Sequence, residues 1–171
     1  MLKYKYTTKE AVISGLTALA VLVNFLTLLF TVIRWGADYV SSSERYFASG
    51  ITLAFNGYPI VIEGCGEWLS LYSRFHFAAS LAIILLLIIF WCVTQKPFGK
   101  IGIVSLILCE VMSLAYLING CVAYSVAAEF ADLYFELYTL SFVPFIIITV
   151  LFCAVIAVKR KMPDDFKFFD K

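Results

Sequence analysis

Four long apolar stretches, separated by connections whose charges sort by sign, constrain this chain more than any other feature. Of 171 residues, 63% are hydrophobic and only 15% charged, where a soluble domain carries about a quarter charged residues. A core of this length cannot hide that apolar excess from water, so lipid must be the solvent for much of the chain. The composition predicts one compact all-α membrane domain over 1–171. A net charge of +1 gives no dense basic face for counterion release, which argues against nucleic acid as a partner.

The spans are expected at about 11–33, 77–94, 101–126 and 140–158, each long enough for ~30 Å of hydrocarbon at 1.5 Å per residue. The first resembles a signal peptide in its basic flank (Lys3, Lys5, Lys9), but its apolar run is too long for an h-region, so an uncleaved anchor is expected. Ten of the thirteen basic residues fall in the N-terminal segment, the short connection around Lys96 and Lys100, and the tail from Lys159. The other two connections hold only Arg34, Arg45 and Arg74. By the positive-inside rule both termini are expected in the cytoplasm, as an integral protein of a bacterial inner or plasma membrane. Trp35, Trp68 and Trp91 flank the spans where tryptophan favours the interface. A tight turn with Pro97 and Gly99 joins the second and third spans as an antiparallel pair, and a four-helix bundle follows.

The first outer loop, 34–76, is the only connection large enough for structure of its own. Within it Asn56-Gly57 separates Ile51–Phe55 from Tyr58–Ile62. Asn-Gly between two β-favouring runs is the strongest local hairpin signal, since a type I′ turn needs positive φ at both central residues. A small β-hairpin over 51–62 is therefore expected, apolar on both faces. Two strands alone are marginal in water, so it must lie on the helix ends, enter the interface or meet another chain. Phe55, Asn56, Gly57 and Tyr58 at its tip are candidate interaction residues, together with Arg74. The segment from Glu67 to Arg74 is expected to form a short amphipathic lead-in helix. In the second outer loop Glu129, Asp132 and Glu136 follow helical spacing, as a face for cations, a basic partner or the outer arginines.

Four spans, cytoplasmic termini and a β-bearing first outer loop resemble the claudin and peripheral-myelin arrangement, and Arg74 stands before span two where claudins also place an arginine. The resemblance is one of architecture. Claudins carry a Trp-Gly-Leu-Trp segment and two bridging loop cysteines; this loop has neither, and a single Cys65. A bridge between Cys65 and Cys121 is one option; the absence of Cys-x-x-Cys argues against a four-span thiol oxidase.

Glu110 is the carboxylate set deep in a span, ~13 Å from the inner end of span three, and an intramembrane acid is a functional candidate by default. Either it serves a proton or cation pathway, or it is a neutral acid bonded to Asn24, Ser105 or Ser113. Asn24, near the middle of span one, is a candidate polar partner of this kind. His76 is expected at the interface, Pro144 to kink span four, and Phe166, Phe168 and Phe169 to lay the tail on the inner leaflet. Nothing assembles catalytic, metal or cofactor chemistry. The expected function is therefore non-enzymatic: an oligomeric assembly, sensor or accessory subunit acting through the first outer loop, with the bilayer and a second copy or another membrane protein as partners. The alternative is a small oligomeric ion channel or ion-coupled transporter using Glu110.

Overall fold

The computed structural model describes residues 7–29, 31–39, 42–56, 65–128, 133–137 and 142–163. Helix α1 (Thr8–Leu26) starts from a reciprocal capping box: Glu10 N–H donates to Thr7 Oγ1 at 3.2 Å and Thr7 N–H to Glu10 Oε2 at 3.0 Å. After a 3₁₀ turn (Thr27–Leu29), β1 (Thr31–Tyr39) pairs antiparallel with β2 (Ser42–Ser49). Then come α2 (Gly50–Asn56), α3 (Cys65–Thr94), α4 (Gly99–Ala128), β3 (Leu133–Leu137) and α5 (Phe142–Lys161). β3 pairs antiparallel with the other side of β1, so the strand order is β2-β1-β3.

Among the described residues, four helices are long and apolar enough to cross a membrane: Thr8–Leu29, Ser70–Thr94, Gly99–Asn119 and Phe142–Lys161. They mark an integral membrane protein and are compatible with a four-span bundle. Each turns its small or packing residues inward at three- and four-residue intervals: Thr17, Ala20, Val21 and Asn24 on α1, and Pro144, Ile148, Leu151 and Val155 on α5. Among the described residues, two clusters pack in the interior. Val21, Ile83, Leu87, Cys109, Met112 and Ile148 form one, and Ala20, Leu106, Leu151 and Val155 the other. The outward faces carry large apolar side chains such as Ile89, Val93 and Val150, the reverse of a water-soluble bundle. Gly102 brings α4 against α1, since a Cβ there would meet Phe98 Cβ at 2.8 Å and Thr17 Cγ2 at 3.4 Å.

The α3–α4 turn is built as its residues dictate. Gln95 takes φ +52° and Gly99 φ +51°, Pro97 lies between them, and Phe98 N–H donates to Ser14 Oγ of α1 at 3.3 Å. That bond sets the turn beside the start of α1, so α1 and α3 run antiparallel.

Several expectations are corrected. The first span stops short of Ile33: the helix ends at Leu26, and Thr31-Val32-Ile33 enters β1. Hydropathy cannot separate these states, but three β-branched residues suit a pleated strand once partners exist. The hairpin expected over 51–62 fails at its first strand, because Gly50–Asn56 is helical; Gly57 to Ile62 lie outside the described residues. Ser49 starts α2 as its N-cap: its Oγ accepts from Thr52 N–H at 3.2 Å and pairs with Thr52 Oγ1 at 3.0 Å. Side chains of α3 bond the carbonyls of Leu53 and Ala54, which this short helix leaves unmade at its end. The amphipathic lead-in and the second span are one continuous helix from Cys65. Glu136 belongs to β3 and faces Arg34 of β1 in register, so helical spacing does not extend to it; Glu129 and Asp132 lie outside the described residues. Pro144 occupies the first turn of α5, where a missing N–H leaves no intrahelical bond unmade. The tail phenylalanines and the Cys65 side chain lie outside the described residues.

Candidate functional site

The loop-end half of α3 presents a polar inner face, Ser70, Ser73, His76 and Ser80, all buried, before the apolar Ile83 and Leu87 take over. The same helix turns Leu71 and Phe75 outward, 66% and 62% exposed. Each buried polar group needs an internal partner, because lipid offers none. Asn24 Nδ2 of α1 donates to Ser80 Oγ at 2.9 Å, and His76 Nε2 lies 3.1 Å from the Asn24 carbonyl oxygen. Tyr72 Oη donates to the Met112 carbonyl of α4 at 2.9 Å. The rings of Tyr72, His76 and Tyr116 pack together, His76 against Tyr116 at 5.2 Å between centroids. Asn24 Oδ1 and His76 Nδ1 have no hydrogen-bond partner among the described residues.

Short α2 closes this end of the bundle. Ser70 Oγ donates to the Leu53 carbonyl at 2.7 Å and Arg74 Nε to the Ala54 carbonyl at 2.8 Å. These are the last-turn carbonyls that a helix cannot satisfy itself. Gly50 permits the approach: a Cβ there would collide with the Tyr116 hydroxyl and meet Leu28 Cδ2 at 2.9 Å and Leu28 Cα at 3.0 Å. Leu53 is fully buried and Ala54 nearly so, whereas Phe55 is 63% exposed and sets its ring edge-on to Phe77, 5.0 Å between centroids.

A second polar site lies between α4 and α5. Thr149 Oγ1 donates to Glu110 Oε1 at 2.7 Å and also lies 2.9 Å from the Phe145 carbonyl. Glu110 is half-buried, and its Oε2 is buried with no hydrogen-bond partner among the described residues. Ser113 Oγ donates to the Glu110 backbone carbonyl at 3.0 Å, not to the carboxylate.

Of the residues expected to act, Glu110 and Asn24 are buried or half-buried in the bundle but bond to different helices, α5 and α3. Phe55 is exposed, Arg74 fastens α2, and Asn56 ends that helix; Gly57 and Tyr58 lie outside the described residues. Sequence reasoning missed Ser80 and Thr149, and it did not foresee that His76 is fully buried among the helices. The spacing Ser70, Ser73, His76, Ser80 was a readable signal of one inward stripe. Among the described residues, no group of three His, Cys, Asp or Glu side chains is placed to hold a metal. Compared with known protein families, curated proteins and solved structures, the chain shows no match.

Proposed function

We propose that this is a non-enzymatic polytopic membrane protein, an oligomeric assembly, sensor or accessory subunit that engages its partner through the first outer loop. One observation carries the reading: α2 holds Phe55 exposed while two side chains of α3 clamp the carbonyls of Leu53 and Ala54. An exposed aromatic on a fixed element is pre-organised for contact, since little ordering entropy remains to be lost on binding. Orientation belongs to the same proposal, with both termini cytoplasmic and α2 outside. It is supported by Lys96 of the α3–α4 turn, Lys100 at the start of α4, and Lys159, Arg160 and Lys161 ending α5. A photo-crosslinking amino acid at position 55, activated in native membranes, is expected to yield a discrete adduct with a second copy or another membrane protein. A chain that stays monomeric and uncrosslinked overturns the reading.

A second reading rests on Glu110 Oε2, buried with no hydrogen-bond partner among the described residues. In an oligomer whose subunits surround an axis, that carboxylate would serve a proton or cation path. It requires flux in liposomes that changes on Glu110→Gln; no flux, or flux the substitution leaves alone, removes it.

A further inference from the structure

Small residues on α1 leave the bundle open on one side. Ala11, Ser14 and Ala18 share a face, and a Cβ built on neighbouring Gly15 would meet nothing within 4 Å. Opposite them α3 supplies Ile84, Leu87, Ile88 and Trp91, and Phe98 closes the end from the α3–α4 turn. Two adjoining cavities result, of about 290 and 330 Å³, which share Ala18, Trp91 and Phe98. They form an apolar groove that opens sideways, since Leu22, Ile88 and Trp91 are about half exposed. From Ala11 to Leu22 it follows α1 for ~16 Å, eleven residues at 1.5 Å each. That is the depth of one leaflet of a ~30 Å hydrocarbon core.

The groove ends beneath cationic residues. Lys96 is exposed on the turn that carries Phe98, Lys100 is exposed in the first turn of α4, and Lys9 lies half-buried two residues before Ala11. Glu10, the acid nearest in sequence, is engaged with Thr7 in the capping box. We propose that this groove binds one anionic phospholipid, its acyl chain between α1 and α3 and its phosphate against Lys96 and Lys100. Length favours a single chain from one leaflet, and charge complementarity favours an anionic headgroup. This goes beyond the proposed function and does not depend on it, because the groove lies at the opposite end of the bundle from α2.

Trp91 is the built-in reporter. The full chain carrying Trp35→Phe and Trp68→Phe is reconstituted in phosphatidylcholine vesicles doped with brominated phosphatidylglycerol or, separately, brominated phosphatidylcholine. Trp91 fluorescence is expected to be quenched several-fold more effectively by the anionic lipid. Lys96→Gln and Lys100→Gln are expected to weaken that preference, roughly fivefold per lysine. Gly15→Leu, which enters open space, is expected to reduce quenching by both lipids. Equal quenching by the two lipids, or a preference that survives loss of both lysines, overturns the proposal. Should the tryptophan replacements impair folding, native mass spectrometry of the unsubstituted chain from mixed micelles decides. Retained phosphatidylglycerol supports the site; equal retention of both lipids, or of neither, overturns it.

Discussion

At Asn24 one side chain couples two helices, because its amide donates to Ser80 while its own backbone carbonyl receives His76. Interhelical hydrogen bonds in membranes contribute about 0.6 to 1.7 kcal/mol. A cycle of Asn24→Ala, Ser80→Ala and the double substitution, read by unfolding in detergent, should return a coupling energy in that range. A value near zero would mean that the two side chains act independently. Gly50 is a sharper constraint. Alanine there would strike the Tyr116 hydroxyl and crowd the Leu28 backbone, and overpacking of this kind costs about 1–3 kcal/mol. Gly50→Ala should lower the thermal midpoint, and Tyr116→Phe in the same chain should recover part of the loss. Unchanged stability of the single variant would contradict the packing at this position. These residues were only partly legible in the sequence. The polarity of Asn24 within an apolar run marked it, but its partner lies 56 positions away, and no local pattern names such a partner.

At the scale of elements, α2 shows how a strong local signal loses to context. Asn56-Gly57 favours a hairpin, yet Ser49 caps a helix and Ser70 and Arg74 bind its final carbonyls. Hydrogen bonds to a charged donor contribute about 1.5–3 kcal/mol, so Arg74→Gln should release α2 well before the bundle. Amide exchange over 50–56 is expected to rise about tenfold or more, with the interior of α4 unchanged. Protection of α2 that survives the substitution would show that Leu53 and Ala54 packing alone holds it. Helix α3 teaches a related lesson. Its apolar half was plain from hydropathy, whereas the stretch from Glu67 to Arg74 was read as a separate amphipathic lead-in, because the polar residues Ser70 and Ser73 interrupt the apolar run although they are buried. Its stripe emerges only when residues are counted three and four apart.

For the whole molecule, the basic turn and the end of α5 gather at the end of the bundle where α1 begins. Phe98 bonds to Ser14 there, and Val155 and Leu151 pack near Ile13 and Leu16. If the proposed orientation holds, a cysteine replacing Lys96 in a chain whose native cysteines are changed to alanine reacts with an impermeant maleimide only after the membrane is opened. A cysteine at Phe55 reacts from outside without that step. The opposite pattern would invert the topology. The number of apolar helices was settled by the sequence itself, because transfer into lipid is close to a per-residue property and needs no distant partner. What only the tertiary structure decided depends on groups far apart in the chain. The fully buried place of His76, the clamp on α2 and the choice of Thr149 for Glu110, 39 positions away, all arise where a polar group in an apolar medium must take the partner that packing brings to it.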